Sequence, residues 1–241
     1  FPMLYIVGKW PTYSGVESAA ANWFFAHNVL GFWLTAMSLG GAYYFIPKVL
    51  GRPVYSYQLS VVGFWSLVMF YSLNGMHHLV GGPLPTWMIK TSIVASVFMF
   101  IPVVATAINL HMTVIGRFGA LRYSPTLRFV VIGSLAYTAV SLQGSFTALR
   151  EVNRVTHFTH WTVAHSHVGG YAFVTFLAFG AMYYIVPRLV GREWPSERLI
   201  RWHFNLVLGG IAVYVVALSW AGVLQGLALL DPGTPFEESV R

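Results

Sequence analysis

Two histidines one residue apart, His165 and His167, open a long apolar run in the stretch TVAHSHVGG, Thr162 to Gly170. On a helix, neighbours two apart point about 200° away from each other. Such a pair does not readily share one metal, but each imidazole can ligate a different planar cofactor on its own side of the helix. Taken alone, the pair is equally well explained as two solvated histidines at a helix mouth. Three more histidines tip that balance: His27, and the adjacent His77 and His78 in YSLNGMHHL. Adjacent helical positions lie about 100° apart, so His77 and His78 with His27 can make a three-nitrogen site. Three imidazoles with an open position suit copper or zinc, and copper binds more tightly in the general affinity order. Tyr71 lies two turns before His78 on much the same helix face. That spacing puts a phenol about 10 Å below the metal layer, where it could supply a proton and an electron. The small residues Ala164, Gly169, Gly170 and Gly180 would let a flat macrocycle approach the helix that carries His165 and His167.

The elements that must position these groups are helices in a membrane. Of 241 residues, 56% are hydrophobic and 9% charged, where a soluble domain carries about 25% charged residues. Cysteine is absent, which excludes disulfides, thiolate ligands and cysteine nucleophiles. Six apolar segments are long enough to cross a bilayer: Ala21–Pro47, Leu59–Leu79, Thr91–Ile115, Phe129–Leu149, Thr162–Val186 and Phe204–Leu229. Pro102 should kink the third. Short connections make consecutive helices antiparallel neighbours, and residues 1–241 read as one all-α polytopic unit without a linker. The chain opens at Phe1 with no signal-peptide pattern, so a piece of a longer subunit is expected.

Loop charges orient the helices. Lys48, Arg52, Arg117, Arg122, Arg128, Arg188, Arg192, Arg198 and Arg201 fall on one side, against only Glu193 and Glu197. Lys9, Lys90, Arg150, Arg154 and Arg241 fall on the other, balanced by acids. The first set should face the cytoplasm. The net charge of +7 is then mostly a topology signal, and no nucleic-acid partner is needed to explain it. An internal repeat is also present. The run from His27 through YYFIPKVLGR matches the run from His167 through YYIVPRLVGR at an offset of 140 residues, pairing Thr35 with Thr175 and Pro47 with Pro187.

In this topology His27, His77, His78, His165 and His167 converge on one layer in the outer part of the membrane, His27 about 9 Å below its helix end. Polar residues inside a span are costly and default to functional candidates. His111 and His203 lie near the opposite ends and read as structural. His157 and His160 lie outside the spans, where they could touch the edge of a planar cofactor or simply be solvated.

The runs YSGVESAAANWFFAHN, YYFIPKVLGRPVYSY, YSLNGMHHL and HFTHWTVAHSHVGG resemble the catalytic subunit I of heme–copper oxygen reductases, most closely the cbb3-type cytochrome c oxidases. A tyrosine at position 71, on the helix that carries the His-His pair, is the decisive mark of that branch. The resemblance implies a bundle of about twelve helices, of which this chain is the later half. It implies copper on His27, His77 and His78, a high-spin heme on His165, and a low-spin heme on His167, both hemes b-type. Tyr71 would be the redox-active tyrosine, cross-linked to His27. The reaction would reduce oxygen to water with electrons from c-type cytochrome subunits, coupled to proton translocation across a bacterial inner membrane. Ser60 and Tyr137 match proton-path positions by spacing. Three departures stand out: the helix carrying the second low-spin heme ligand is not in the sequence, Gln143 replaces a usual glutamate, and His160 replaces a usual aspartate.

Other readings remain at this point. A nitric oxide reductase would place glutamates beside a non-heme iron, because carboxylates suit iron. None of the six segments contains Asp or Glu. A di-heme membrane cytochrome would use His165 and His167 but not the three-histidine set with Tyr71. A transporter would need broken helices and no metal.

Overall fold

The computed structural model describes residues 2–240, and among them the chain is helices and the turns that join them. Phe1 and Arg241, the latter one of the outer-side charges, lie outside the described residues. Among the described residues, six helices are long and apolar enough to cross a membrane: α1 (Gly15–Leu50), α2 (Tyr57–Leu79), α3 (Thr86–Val114), α4 (Pro125–Thr147), α5 (His160–Val190) and α6 (Glu197–Leu230). The ends follow local chemistry. The Ser56, Ser124 and Ser196 side chains accept from the backbone N–H groups of Leu59, Leu127 and Leu199, capping α2, α4 and α6. Gly51 and Gly191 end α1 and α5 at φ 64° and 68°, left-handed values that favour glycine. Because Ser196 caps early and Glu197 pairs with Arg201 at 3.3 Å, α6 starts before its apolar stretch does.

None of the site-bearing helices is uniform. α1 is α-helical over Gly15–Asn28, widens to a π-helix over Val29–Thr35, and returns to α over Ala36–Leu50. α5 repeats the sequence: His160–His167, a π-helix over Val168–Thr175, then Phe176–Val190. In α3 the helix is interrupted at Met99, between Thr86–Phe98 and Phe100–Val114. Pro102 has no N–H to give the Phe98 carbonyl, so the kink opens just upstream of it, as the sequence predicts.

α4 lies in the middle of the bundle and packs against α1, α3, α5 and α6, while α2 packs on α3. Leu39 and Ile46 of α1, Val103 and Leu110 of α3, Val130 of α4 and Phe173 of α5 form one buried cluster. Phe129, Phe176 and Ile211 form a second where α6 joins. Between helices in lipid, expelling water contributes little, so close van der Waals fit must hold the bundle. Small residues make that fit. A Cβ on Gly222 would strike the backbone of Trp161, and one on Gly226 the Val155 carbonyl. At these two points α6 lies directly on the chain entering α5. Apart from the face that carries Ile200 and Ile211, α6 turns many of its apolar side chains outward, Leu206, Val213, Val216 and Trp220 among them.

Candidate metal and heme-ligand site

His27 is on the last turn of α1 before the π-helix, and His77 and His78 lie on a 3-10 turn, Gly75–Leu79. One ligand nitrogen from each of the three lies within 4.8 Å of the others. The rings meet without stacking flat: His27 and His77 are 4.9 Å apart at 83°, His77 and His78 4.4 Å apart at 51°. The Nδ1 of His27 is buried without a hydrogen-bond partner. A buried polar nitrogen is rarely left so unless something outside the chain completes it. His77 is anchored differently: its Nδ1 lies 2.8 Å from Ser96 Oγ. Three convergent imidazoles, one with an orphaned nitrogen, fit a three-coordinate nitrogen site for copper or zinc.

Tyr71 ends the regular helix of α2, and residues 72–74 unwind before the 3-10 turn. This corrects the continuous-helix expectation. Asn74-Gly75 breaks the helix, so Tyr71 and His78 are not two turns apart on one face. The tyrosine lies closer than a helix would put it: its ring centroid is 4.4 Å from that of His27. Gly31, in the π-helix, makes that approach possible, since a Cβ there would overlap the Tyr71 ring. On the other flank Trp23 stacks on His78 at 4.0 Å and 14°.

The two histidines of α5 diverge as their spacing predicts. His165 Nδ1 lies 3.0 Å from Gln143 Oε1 on α4, and its ring is close enough to interact electrostatically with His27, His77 and His78. His167 turns away toward α6, 4.7 Å from the Tyr214 ring, and its Nδ1 lies 2.8 Å from the Val163 carbonyl. A carbonyl or amide oxygen can only accept, so Nδ1 carries the proton in both rings and Nε2 keeps a free lone pair. A cleft of about 290 Å³ beside His167 is lined by Ser166, Gly170, Tyr171 and Thr175. Of the small residues expected to admit a macrocycle, Gly170 is open, but Gly180 and Ala164 are not. Ala164 is fully buried, and a Cβ on Gly180 would meet Val130 and the Thr126 carbonyl of α4. Both serve helix packing.

A family profile decides what this arrangement belongs to. That of "Cytochrome C and Quinol oxidase polypeptide I" matches residues 1–240. The chain belongs to this family. It is 40% identical over 226 residues to the Cbb3-type cytochrome c oxidase subunit CcoN1 of Stutzerimonas stutzeri, covering 92% of this chain and 48% of the relative. It is 39% identical over 222 residues to a cytochrome c oxidase subunit 1 homolog of Agrobacterium tumefaciens, covering 92% and 41%. Cytochrome c oxidase subunit 1 of Thermus thermophilus is 25% identical over 234 residues, covering 88% and 41%. The chain therefore spans less than half the length of these curated relatives. With six apolar helices and bacterial oxidase relatives, it is a bacterial multi-pass membrane protein.

At the opposite end from the histidines, this member of the oxidase family carries a polar tie. Asn109 of α3, fully buried, accepts from Ser56 N at 2.8 Å and donates to Ser60 Oγ at 2.8 Å and Tyr43 Oη at 3.3 Å. Deeper in, Tyr137 of α4 is buried with no direct partner for its hydroxyl, near Thr106 and Ser141. It lies within electrostatic reach of both Tyr43 and Tyr71. Ser60 and Tyr137 are thus on one side of the bundle, and Asn109 and Tyr43, not singled out in the sequence, join them. His203 is held by the Tyr183 hydroxyl at 2.9 Å. Outside the spans, His157 stacks on Phe158; burial lowers its pKa, and the nearby His78 backbone opposes the shift. The exposed His160 gives its backbone N–H to Gln225 Oε1 at 2.9 Å.

Proposed function

We propose that this chain is the catalytic part of a cbb3-type terminal oxidase subunit, reducing oxygen to water with electrons from c-type cytochrome subunits and coupled to proton translocation. The observation that carries the reading is the three-histidine cluster, within 4.8 Å, with the Tyr71 ring 4.4 Å from His27. An electron-passing cytochrome has no use for that cluster. The ligand set is all imidazole, which suits copper better than the non-heme iron of a nitric oxide reductase.

In this assignment His27, His77 and His78 hold one copper, His165 a high-spin heme and His167 a low-spin heme, both b-type. When bound, the copper and the high-spin heme supply electrons and open coordination positions for oxygen. The chain's own residues do the rest. Ser96 and Gln143 hold the His77 and His165 rings by Nδ1 and leave Nε2 free to ligate. Tyr71 holds a proton at Oη beside the cluster and is able to give up both a proton and an electron. Ser60, Asn109, Tyr43 and Tyr137 form a proton route from the basic side toward Tyr71, with water completing the Tyr137 hydroxyl. The basic side faces the cytoplasm and the histidine layer the periplasm. Residues 1–241 form part of one subunit I domain, in contact with membrane lipid and partner cytochromes.

Metal analysis of the complete complex tests this. Copper together with a carbon monoxide-binding heme is expected, whereas iron without copper would favour the reductase. His77→Ala should abolish oxygen reduction and lose copper while the low-spin heme spectrum persists. Retention of copper and activity would refute the assignment.

A further inference from the structure

α3 carries no metal-ligating residue, yet it holds both the backbone and the ring of one. Ser92 and Ser96, one turn apart on its outer half, are 0% and 2% exposed. Ser92 Oγ accepts the His77 backbone N–H at 2.8 Å and donates to the Asn74 carbonyl. Ser96 Oγ donates to the Ser92 carbonyl at 2.8 Å. A serine hydroxyl has one proton to give. With that proton committed to Ser92, Ser96 can only accept from His77 Nδ1, 2.8 Å away. His77 must then carry its proton on Nδ1 and present Nε2 to the cluster.

We infer that Ser96 is a positioning residue for the metal site, fixing the tautomer and ring orientation of His77, while Ser92 fixes the turn that carries it. The pair replaces what a regular helix would supply. A 3-10 turn has few internal bonds to set its angle, and this one follows an unwound stretch. Two hydroxyls on a neighbouring helix, Ser92 on the backbone of the turn and Ser96 on the His77 ring, make the turn rigid from outside. The inference rests on the reading of His77 as a metal ligand.

The test uses the complete oxidase complex with Ser96→Ala and Ser96→Thr. Copper per heme is measured after equilibration with chelators of graded strength, together with the infrared band of carbon monoxide transferred by light from heme to copper. Loss of an outer-shell partner typically weakens metal affinity about 10–100-fold. Ser96→Ala should release copper to correspondingly weaker chelators and shift or broaden the carbon monoxide band. Ser96→Thr, which keeps the hydroxyl, should retain the native values in both. Native copper retention and an unchanged band in Ser96→Ala would overturn the inference. If Ser96→Ala fails to assemble, Ser96→Cys keeps the volume with a weaker acceptor. It should release copper more readily than native, and equality with native would overturn the inference just as well. The two failures separate. Copper retained in His77→Ala sinks the ligand reading, whereas copper lost there but kept in Ser96→Ala sinks only the positioning role.

Discussion

On the proposed function, replacing Gly31 by alanine should cost the complex its oxygen turnover while barely changing its stability. A Cβ at position 31 would overlap the Cδ1, Cε1 and Cζ atoms of Tyr71, and Gly31 itself is buried. The ring has no easy retreat: His27 lies 4.4 Å away at 32° and Phe32 6.0 Å away on another flank. Overpacking of this kind costs about 1–3 kcal/mol. Alanine, however, is favoured over glycine inside a helix by about 1 kcal/mol. The net destabilisation is therefore small, about 0–2 kcal/mol, because the two terms oppose each other. Geometry has no such offset. A reacting group moved by about 1 Å can lose about 100-fold in rate. Oxygen consumption by the purified complex should fall by that order, with thermal stability, heme and copper contents close to native. Tyr71→Phe should behave alike in stability and activity, since it keeps the ring contacts and removes only the hydroxyl. A Gly31→Ala complex that consumes oxygen at the native rate would refute the claim that glycine is there to admit the tyrosine.

Gln143→Leu leaves the His165 Nδ1–H without its acceptor at 3.0 Å, a loss of about 1–3 kcal/mol for a buried donor; the high-spin heme potential should shift in a redox titration while the low-spin heme holds, and an unmoved potential would show that Gln143 does not steer the ligand. Gly226→Val places a branched side chain against the Val155 carbonyl and should push α6 off the chain entering α5. That complex should melt lower and expose 150–160 to protease, and native resistance would refute the close contact. At the end of α6, Asp231 accepts from Gly233 N at 3.0 Å and Thr234 Oγ1 at 2.8 Å, which lowers its pKa. A depressed carboxyl stabilises the turn above its unfolded pKa, and that contribution is lost as pH falls through the folded value. Amide exchange at Gly233 should thus quicken only in acid, and a profile that stays flat through and below the aspartate range would count against it.

The helices were legible from apolar length alone; the serine caps and the Gly51 and Gly191 stops, equally local, lie outside the apolar stretches and set ends that length did not give. The histidines were legible because imidazoles are expensive in a span and five of them shared one depth. What escaped was chemistry between helices. Ser92 and Ser96 look like ordinary small residues in a packed helix until the turn carrying His77 is laid against them. Gly31 gives no local signal either, as its partner lies forty residues away. The break after Tyr71 was readable in principle, since Asn74-Gly75 is a strong interruption. Assuming a continuous helix there placed the tyrosine about two turns from the metal layer, when unwinding brings it to the His27 ring itself.

The repeat explains why one bundle can hold two different kinds of site. At the same offset of 140 residues, α1 and α5 share the histidine before the π-helix, the π-helix itself, and the left-handed glycine stop. The correspondence runs on into the next helix, where Ser56 and Ser196 cap onto Leu59 and Leu199. Beyond that the copies part. The positions matching Tyr71, His77 and His78 are Ile211, Ala217 and Leu218, and that matching the Asn74-Gly75 break is Tyr214-Val215. With no breaker, α6 continues as a regular helix past the point where α2 unwinds. The packing exchange is reciprocal: where α1 has Gly31 to admit Tyr71, α5 has Tyr171 packed in the same apolar cluster as Ile211. A large residue and a small one have changed places between facing helices, preserving the fit that holds helices together in lipid. Only the first copy therefore brings a phenol to its histidine from the position of Tyr71; in the second, Ile211 stands there and the ring beside the histidine is that of Tyr214. In the second, the matching His167 lies between the Tyr214 ring and an open cleft lined by Ser166, Gly170, Tyr171 and Thr175.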